Sequence, residues 1–308
     1  MSLKDLKIML ESFQSNPNFV GELNCCRKNK DKYDIKTPHL DGSEIPNELL
    51  RITLDELEKY EIMNIESYNP LGVSADAIEE CDVKDFQCVE SFLEKLENDI
   101  RTPGNIDPID IYFFVYKFYI CDEKNNQENV IYIMRRHNRL KNLRKGFWAR
   151  FSGGEEFKKI SSNELVGIDS QIDLLIYNNK MIIFNHFSFE RIFDISNEFI
   201  ELATKVLKKS ELREKILNYD EFVKDLLDNL NYVKRISKLD ENKSFAFIDN
   251  IPKTKAVVKK LKLKDIIIDE NNMFHYTDKS QLGEYVNLMQ DAYYETLIGG
   301  ENGIDFRR

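Results

Sequence analysis

Glycine and proline are scarce, 12 and 7 among 308 residues, which leaves little room for a long disordered or low-complexity tract. Cysteine is sparse and unpatterned. Cys25, Cys26, Cys81, Cys88 and Cys121 form an odd set with no Cys-x-x-Cys pair, so neither a disulfide framework nor a zinc knuckle has the spacing it needs. Reduced, mostly buried thiols are expected. Long apolar runs are missing too: the strongest, Ile111 to Ile120, is interrupted by Lys117 and falls far short of the roughly 20 residues a bilayer demands. MSLKDLKIMLESF is an amphipathic helix with acids and lysines, unlike a signal peptide. These features predict a cytosolic protein that reaches a membrane only through a partner. His39, His137, His186 and His275 are too scattered for an HExxH site, no Ser or Cys sits in a nucleophile motif, and Ser152-Gly153-Gly154 lacks the lysine of a phosphate loop. No cofactor or metal is expected.

What is present is charge, unevenly placed. The chain carries a formal net charge of −10, yet Arg135, Arg136, Arg139, Lys141, Arg144, Lys145 and Arg150 follow one another with no Asp or Glu among them. Binding of a polyanion depends on the local field where it docks, so the average sign does not exclude it. The opposite imbalance occurs earlier, where Glu79, Glu80, Asp82, Asp85, Glu90, Glu94, Glu97 and Asp99 make an acidic region.

Periodicity gives an α+β fold: a mixed, mainly antiparallel sheet in the middle of the chain, flanking helices, and a helix-rich C-terminal part. Leu3 to Phe13 reads as a helix and Asn18 to Asn24 as a strand, followed by the charged CRKNKDKYD as an exposed turn or hairpin tip. Helical segments follow Pro46 and span Lys84 to Ile100, and Ile65 to Asn69 reads as a strand. Asp110 to Cys121 is the strongest strand, with Val130 to Arg136 pairing back on it. Residues 170 to 184, SQIDLLIYNNKMIIF, predict two short strands joined at Asn178-Asn179, residues that tolerate the left-handed conformation of a tight turn. Phe189, Ile192, Phe193, Phe199, Ile200, Ala203 and Leu207 recur at helical spacing, predicting one long helix packed on that hairpin with a kink at Asp194 to Ser196. Helices then recur from Glu211 to Leu239 and after Pro252, two small strands lie near Ile266 and Met273, and Asp278 caps a final helix. Two lobes are expected, an acidic one over residues 1–108 and a second over residues 109–308.

Several cations on one face are what phosphate contact needs, and Phe147, Trp148 and Phe151 interleave with them as stacking residues would. The candidate DNA-binding residues are therefore Arg135, Arg136, Arg139, Lys141, Arg144, Lys145 and Arg150. The bland alternative is a solvated face, or a cationic run docked on the acidic helix of 84–100 in a purely structural interaction module. A nuclease is a further alternative, since Asp169 and Asp173 precede a hairpin as in restriction-like enzymes. There, however, the next strand must supply a Glu-x-Lys, and this chain has Phe184, Asn185 and His186. No catalysis is expected, although a site assembled from distant residues would escape such a reading.

GIDSQIDLLIYNNKMIIFNHFSFERIFDI and the tail MFHYTDKSQLGEYVNLMQDAYYETLIGG, in the order Asp-containing strand, turn, apolar strand, Phe-Glu-x-Ile-Phe helix, then a strand, a helix and a Tyr-rich terminal strand, resemble the KwaB component of the Kiwa anti-phage defence system over roughly residues 110 to 300. The resemblance implies a cytosolic DNA-binding effector, homodimeric, recruited by the integral membrane protein KwaA and acting against phage DNA replication or expression. It carries no short motif for DNA contact, so the seven cations named above rest on their own chemistry.

Overall fold

The computed structural model describes residues 3–29, 32–40, 42–72, 77–98, 110–122, 126–137, 168–240, 242 and 244–305, and the backbone alone of 148–152 and 156–160. The chain forms two compact units, Met1–Asp194 and Ile195–Arg308. The expected division near residue 108 is therefore not where the chain divides. Strands from before that point are hydrogen-bonded into the same sheet as strands from after it, so the N-terminal residues have no lobe of their own.

In the first unit α1 (Leu3–Gln14), β1 (Phe19–Asn29), β2 (Lys32–Lys36), α2 (Glu44–Leu57), β3 (Asn64–Ser67), β4 (Ala77–Asp82), α3 (Gln87–Asn98), β5 (Phe113–Cys121) and β6 (Gln127–Arg136) come first. They are followed by β7 (Trp148–Ser152), β8 (Glu156–Ile160), β9 (Leu174–Tyr177), β10 (Lys180–Ile183) and α4 (His186–Phe193). Eight strands make one sheet in the order β2-β1-β5-β6-β9-β10-β4-β3. Its pairs are antiparallel except for β3 with β4, so the expected mixed, mainly antiparallel sheet is present.

The period of two along each strand sorts its residues between two layers. On one face Phe114, Tyr116 and Phe118 of β5, Ile131 and Ile133 of β6, and Leu175 of β9 join Leu6, Leu10, Phe13, Leu50 and Leu57 of α1 and α2 in one buried cluster. On the other, Phe113 of β5 meets Phe92 of α3 at a centroid separation of 5.5 Å, and Phe189 and Phe193 of α4 pack on Phe86 and Phe92 at 5.3 and 5.7 Å. A sheet covered on both faces explains why β5 reads as almost unbroken apolar sequence.

The exception on β5 is Lys117, only 1 % exposed, whose Nζ lies 2.6 and 2.7 Å from the two carboxylate oxygens of Glu97 on α3. The Tyr132 hydroxyl donates to the same carboxylate at 2.6 Å, and the ammonium sits 5.3 and 5.8 Å from the Tyr119 and Tyr132 ring centroids. One acid of the acidic helix thus answers a cation of the sheet.

The hairpin of 170–184 is present, with Asn178 at φ 48° and Asn179 at φ 60°, and β9 pairs with both β6 and β10. The single kinked helix is not. Asp194 takes a left-handed conformation, φ 53° and ψ 44°, and ends α4 outright; α5 (Ser196–Leu207) starts afresh in the second unit. The apolar stripe of α4 is buried against Tyr68, Phe86 and Phe92. β1 also runs on through Asn29 and pairs with β2, making most of the charged CRKNKDKYD strand.

The second unit is mainly helical. It adds α6 (Ser210–Lys215), β11 (Ile216–Leu217), α7 (Tyr219–Leu227), α8 (Leu230–Ile236), α9 (Ala246–Asp249), α10 (Ile251–Leu261), β12 (Ile267–Ile268), β13 (Phe274–His275), α11 (Leu282–Met289), β14 (Tyr293–Glu295) and β15 (Asn302–Ile304). Phe222, Phe274, Tyr276 and Tyr285 form its aromatic centre, with Tyr276 and Tyr285 at 5.3 Å from Phe222. Arg235, 8 % exposed, donates to Asn287 at 2.6 Å and to Gln290 at 2.5 and 2.8 Å, tying α8 to the end of α11. The Tyr-rich terminal segment pairs with β15 as a separate hairpin. No helix among the described residues is long and apolar enough to cross a membrane.

Candidate nucleic-acid interface

β6 and β9 are antiparallel neighbours in the sheet, yet the chain does not pass between them by a tight turn. It leaves at Arg136 and returns at Leu174, with the β7–β8 hairpin in between. The cationic run lies on this excursion. Arg139, Lys141, Arg144 and Lys145 fall outside the described residues, and for Arg150 the backbone alone is described, within β7.

Arg135 and Arg136 sit at its outgoing foot. Arg135 shares the parity of Ile131 and Ile133 and therefore belongs to a covered face, where it is 4 % exposed. Its guanidinium donates from Nε to Asp169 Oδ1 at 2.7 Å, from Nη2 to Asp169 Oδ2 at 2.8 Å and to Gln171 at 2.7 Å, and from Nη1 to Asp173 Oδ2 at 3.0 Å. Burial works against its charge, but the hydrogen bonds and charges of Asp169 and Asp173 more than offset that and hold its pKa above the ordinary arginine value. In return the guanidinium keeps the Asp169 carboxyl below the usual aspartate range. Asp173, itself 1 % exposed, also accepts the Arg136 backbone N–H at 2.6 Å.

Arg135 is thus a departure from the expected set of phosphate contacts: its donors are consumed inside the fold, where they join the two feet of the excursion. The acids that make this clamp are the two that raised the nuclease alternative. The position compared with a Glu-x-Lys strand is also different from expectation. β10 stops at Ile183, Asn185 is the N-cap of α4 and accepts from Ser188 N–H at 3.0 Å, and His186 opens the helix. His186 lies between Glu79 Oε2 at 2.7 Å and Glu190 Oε1 at 3.0 Å, with Tyr68 stacked on it at 5.4 Å. Burial alone would lower its pKa, but the hydrogen bonds and charges of Glu190 and Glu79 prevail and raise it to about 9. Among the described residues no group of three or more His, Cys, Asp or Glu is arranged to hold a metal ion.

Arg136 points to a different neighbourhood. Its guanidinium carbon lies 5.5 Å from the Tyr112 ring centroid, and Lys28 Nζ lies 5.8 Å from the same ring. Lys28 also donates to the Arg191 carbonyl at 2.9 Å, and the Tyr112 hydroxyl to that carbonyl at 3.3 Å. Arg27 pairs with Asp110 at 3.1 Å and Lys28 with Asp194 at 3.9 Å. The sheet therefore gathers Arg27, Lys28, Arg136 and the start of the excursion at one corner. Reading along the chain could not find Arg27 and Lys28, because they precede Arg136 by more than a hundred residues and only the β1–β5–β6 pairing unites them.

Arginine and lysine gathered at a sheet corner, beside a cation-rich excursion with clamped feet, can present positive charge to an anionic polymer. Geometry by itself carries no identity, and no curated protein and no solved structure matches the chain. A family model does match: that of the Kiwa protein KwaB-like family, over residues 110–299, which takes in β5, β6, the excursion, the β9–β10 hairpin, α4 and the second unit through β14. That match covers more than half of the sequence, and the chain belongs to the KwaB-like family of Kiwa anti-phage defence proteins.

Proposed function

We propose that the protein is a non-catalytic DNA-binding effector of its defence system, taking duplex DNA through phosphate contacts with little base preference. Arg136, Arg139, Lys141, Arg144, Lys145 and Arg150 are the contacting residues, and Arg135 is the strut that fixes the feet of the segment bearing them. The observation that carries this reading is the placing of an acid-free cationic run on an excursion from the sheet whose two ends are locked together by Arg135, Asp169 and Asp173. Membership of the family supports a homodimer that works with the membrane protein KwaA and blocks phage DNA replication or expression. Recruitment to the inner face of the membrane then depends on that partner, in keeping with the lack of a spanning helix among the described residues.

The competing reading is an interaction module whose cations answer internal acids. Arg135 does this, so the remaining cations decide between the two. Gel-shift titration with duplex DNA at two salt concentrations should show affinity falling steeply with salt, since each neutralised phosphate contributes about 0.9 to the log–log slope. Replacing Arg139, Arg144 and Lys145 together by Glu should abolish binding while the melting temperature changes little, because exposed pairs are worth only about 0 to 1 kcal/mol each. Salt-insensitive affinity, or a triple variant that keeps full affinity, would move the assignment to the interaction module.

A further inference from the structure

β14 and β15 form a hairpin in which Tyr294 stands opposite Gly303 and Glu295 opposite Asn302. Its tip is a closed structure. Thr296 N–H donates to the Glu301 carbonyl at 2.8 Å, Gly300 N–H to the Thr296 carbonyl at 2.9 Å and Glu301 N–H to the Thr296 hydroxyl at 2.9 Å. Gly300 takes φ 65°, which costs glycine no steric penalty. This frame holds Leu297 and Ile298 at the apex, both fully exposed. Turns ordinarily place Gly, Asn, Asp or Ser in such positions, and two adjacent aliphatic side chains held in water gain free energy only when something covers them. Below the apex Tyr294 is half exposed, its ring lying so close over Gly303 that no Cβ would fit there.

The neighbourhood of the tip points to its cover. Lys260 Nζ of α10 lies 2.5 Å from Glu295 Oε2 and so joins the helix to the base of the tip. α10 and the residues after it carry Lys253, Lys259, Lys262 and Lys264, all exposed and none with an acidic partner among the described residues. Thr254 is the one buried residue of α10, while Val257, Val258 and Leu261 are only partly covered. A basic helix with an incompletely buried apolar side suits an anionic lipid surface, where ammoniums reach headgroup phosphates and alkyl stems lie along the acyl boundary. Tyrosine favours the headgroup level between the two. A pocket in a protein partner would account for the aliphatic apex but leave the unpaired lysines without a role. We propose that the second unit carries a lipid-contact site, in which Leu297 and Ile298 enter an anionic bilayer, Tyr294 lies at its headgroups and the lysines of 253–264 meet its phosphates. The contact is weak and reversible, since one shallow insertion does not anchor a protein and a second signal, here the membrane partner, is needed. It amends the expectation that a membrane is reached only through that partner, and it is independent of the DNA-binding reading. Glu301, exposed in the same tip, opposes an anionic surface, so neutralising it should strengthen the contact.

The test is co-flotation of the full chain with vesicles of phosphatidylglycerol and phosphatidylethanolamine, and with vesicles of phosphatidylcholine alone, across a salt series. Wild-type protein should bind the anionic vesicles at low salt, release them as salt rises and leave phosphatidylcholine largely unbound. Leu297→Ser with Ile298→Ser should weaken binding about tenfold or more. Lys253→Gln and Lys264→Gln should each weaken it about fivefold, and Glu301→Gln should tighten it. None of these variants should change the melting temperature, because every altered side chain is exposed. Failure of wild type to bind anionic vesicles at low salt would overturn the site. So would a Leu297 and Ile298 double variant that binds as wild type does while the Arg139, Arg144 and Lys145 triple variant loses the vesicles, since the attraction would then belong to the DNA-contacting cations. A double variant that passes from dimer to monomer in size-exclusion chromatography would mark the tip as a contact between copies of this chain and overturn it likewise.

Discussion

Arg135 shows how one side chain changes meaning with its environment. In the sequence it is the first of seven closely spaced cations; in the fold it is a buried link between β6 and the returning segment of 169–173. Half of this was legible. Ile131, Ile133 and Arg135 share one parity of an apolar strand, and that parity faces inward. Which acids would meet it was not legible, because Asp173 joins Arg135 only through the β6–β9 register. Removing the guanidinium leaves the Asp173 carboxylate buried with its main charged partner gone. Arg135→Ala should therefore cost about 3 to 5 kcal/mol of unfolding free energy. Asp169→Ala should cost far less, about 1 kcal/mol, since that carboxylate is half exposed. Urea unfolding monitored by circular dichroism checks both, and an Arg135→Ala variant as stable as wild type would show that the clamp contributes nothing.

Among the elements, the β9–β10 hairpin was the most readable, since Asn178-Asn179 announces a turn in which both central residues take positive φ. Asn179 also supplies the carbonyl that accepts from Val83 N–H at 2.9 Å, tying the turn to the end of β4. A β-branched residue is strained in this conformation whereas glycine is at ease. Asn179→Val should lower stability by about 1 to 2 kcal/mol and Asn179→Gly should be neutral or stabilising, read as a shift of the denaturation midpoint. The helix after the hairpin was half legible. Its apolar spacing is real on both sides, but periodicity counts residues and is blind to φ, so the left-handed Asp194 that separates α4 from α5 was expected only as a kink. The length of β1 was missed for a related reason. Charged residues suggested an exposed turn or hairpin tip; the hairpin is there, but its arms run further out, with Arg27 and Asn29 in a paired strand and their side chains exposed.

Across the whole molecule, the fold class followed from pattern but the boundary at residue 108 did not, because composition shifts along the chain while strands are chosen by pairing. The eight-stranded order has a consequence for the segment that defines the family. β5, β6, β9 and β10 all fall within residues 110–299 and occupy the middle of the sheet. Both margins, β2-β1 on one side and β4-β3 on the other, come from earlier in the chain. The family-defining portion is therefore all interior and owns no border. Cut loose at residue 110, it would present the nine-residue β5 and the short apolar β10 as unshielded edges, the kind of surface on which chains add to one another. A protein comprising residues 110–308 should aggregate on expression, and supplying residues 1–109 as a separate chain should recover soluble material, measured by size-exclusion chromatography. A soluble, monodisperse 110–308 fragment would contradict this. On this prediction the 109 residues that precede the family match are a hem for the sheet, closing off the borders along which the matched part would otherwise polymerise.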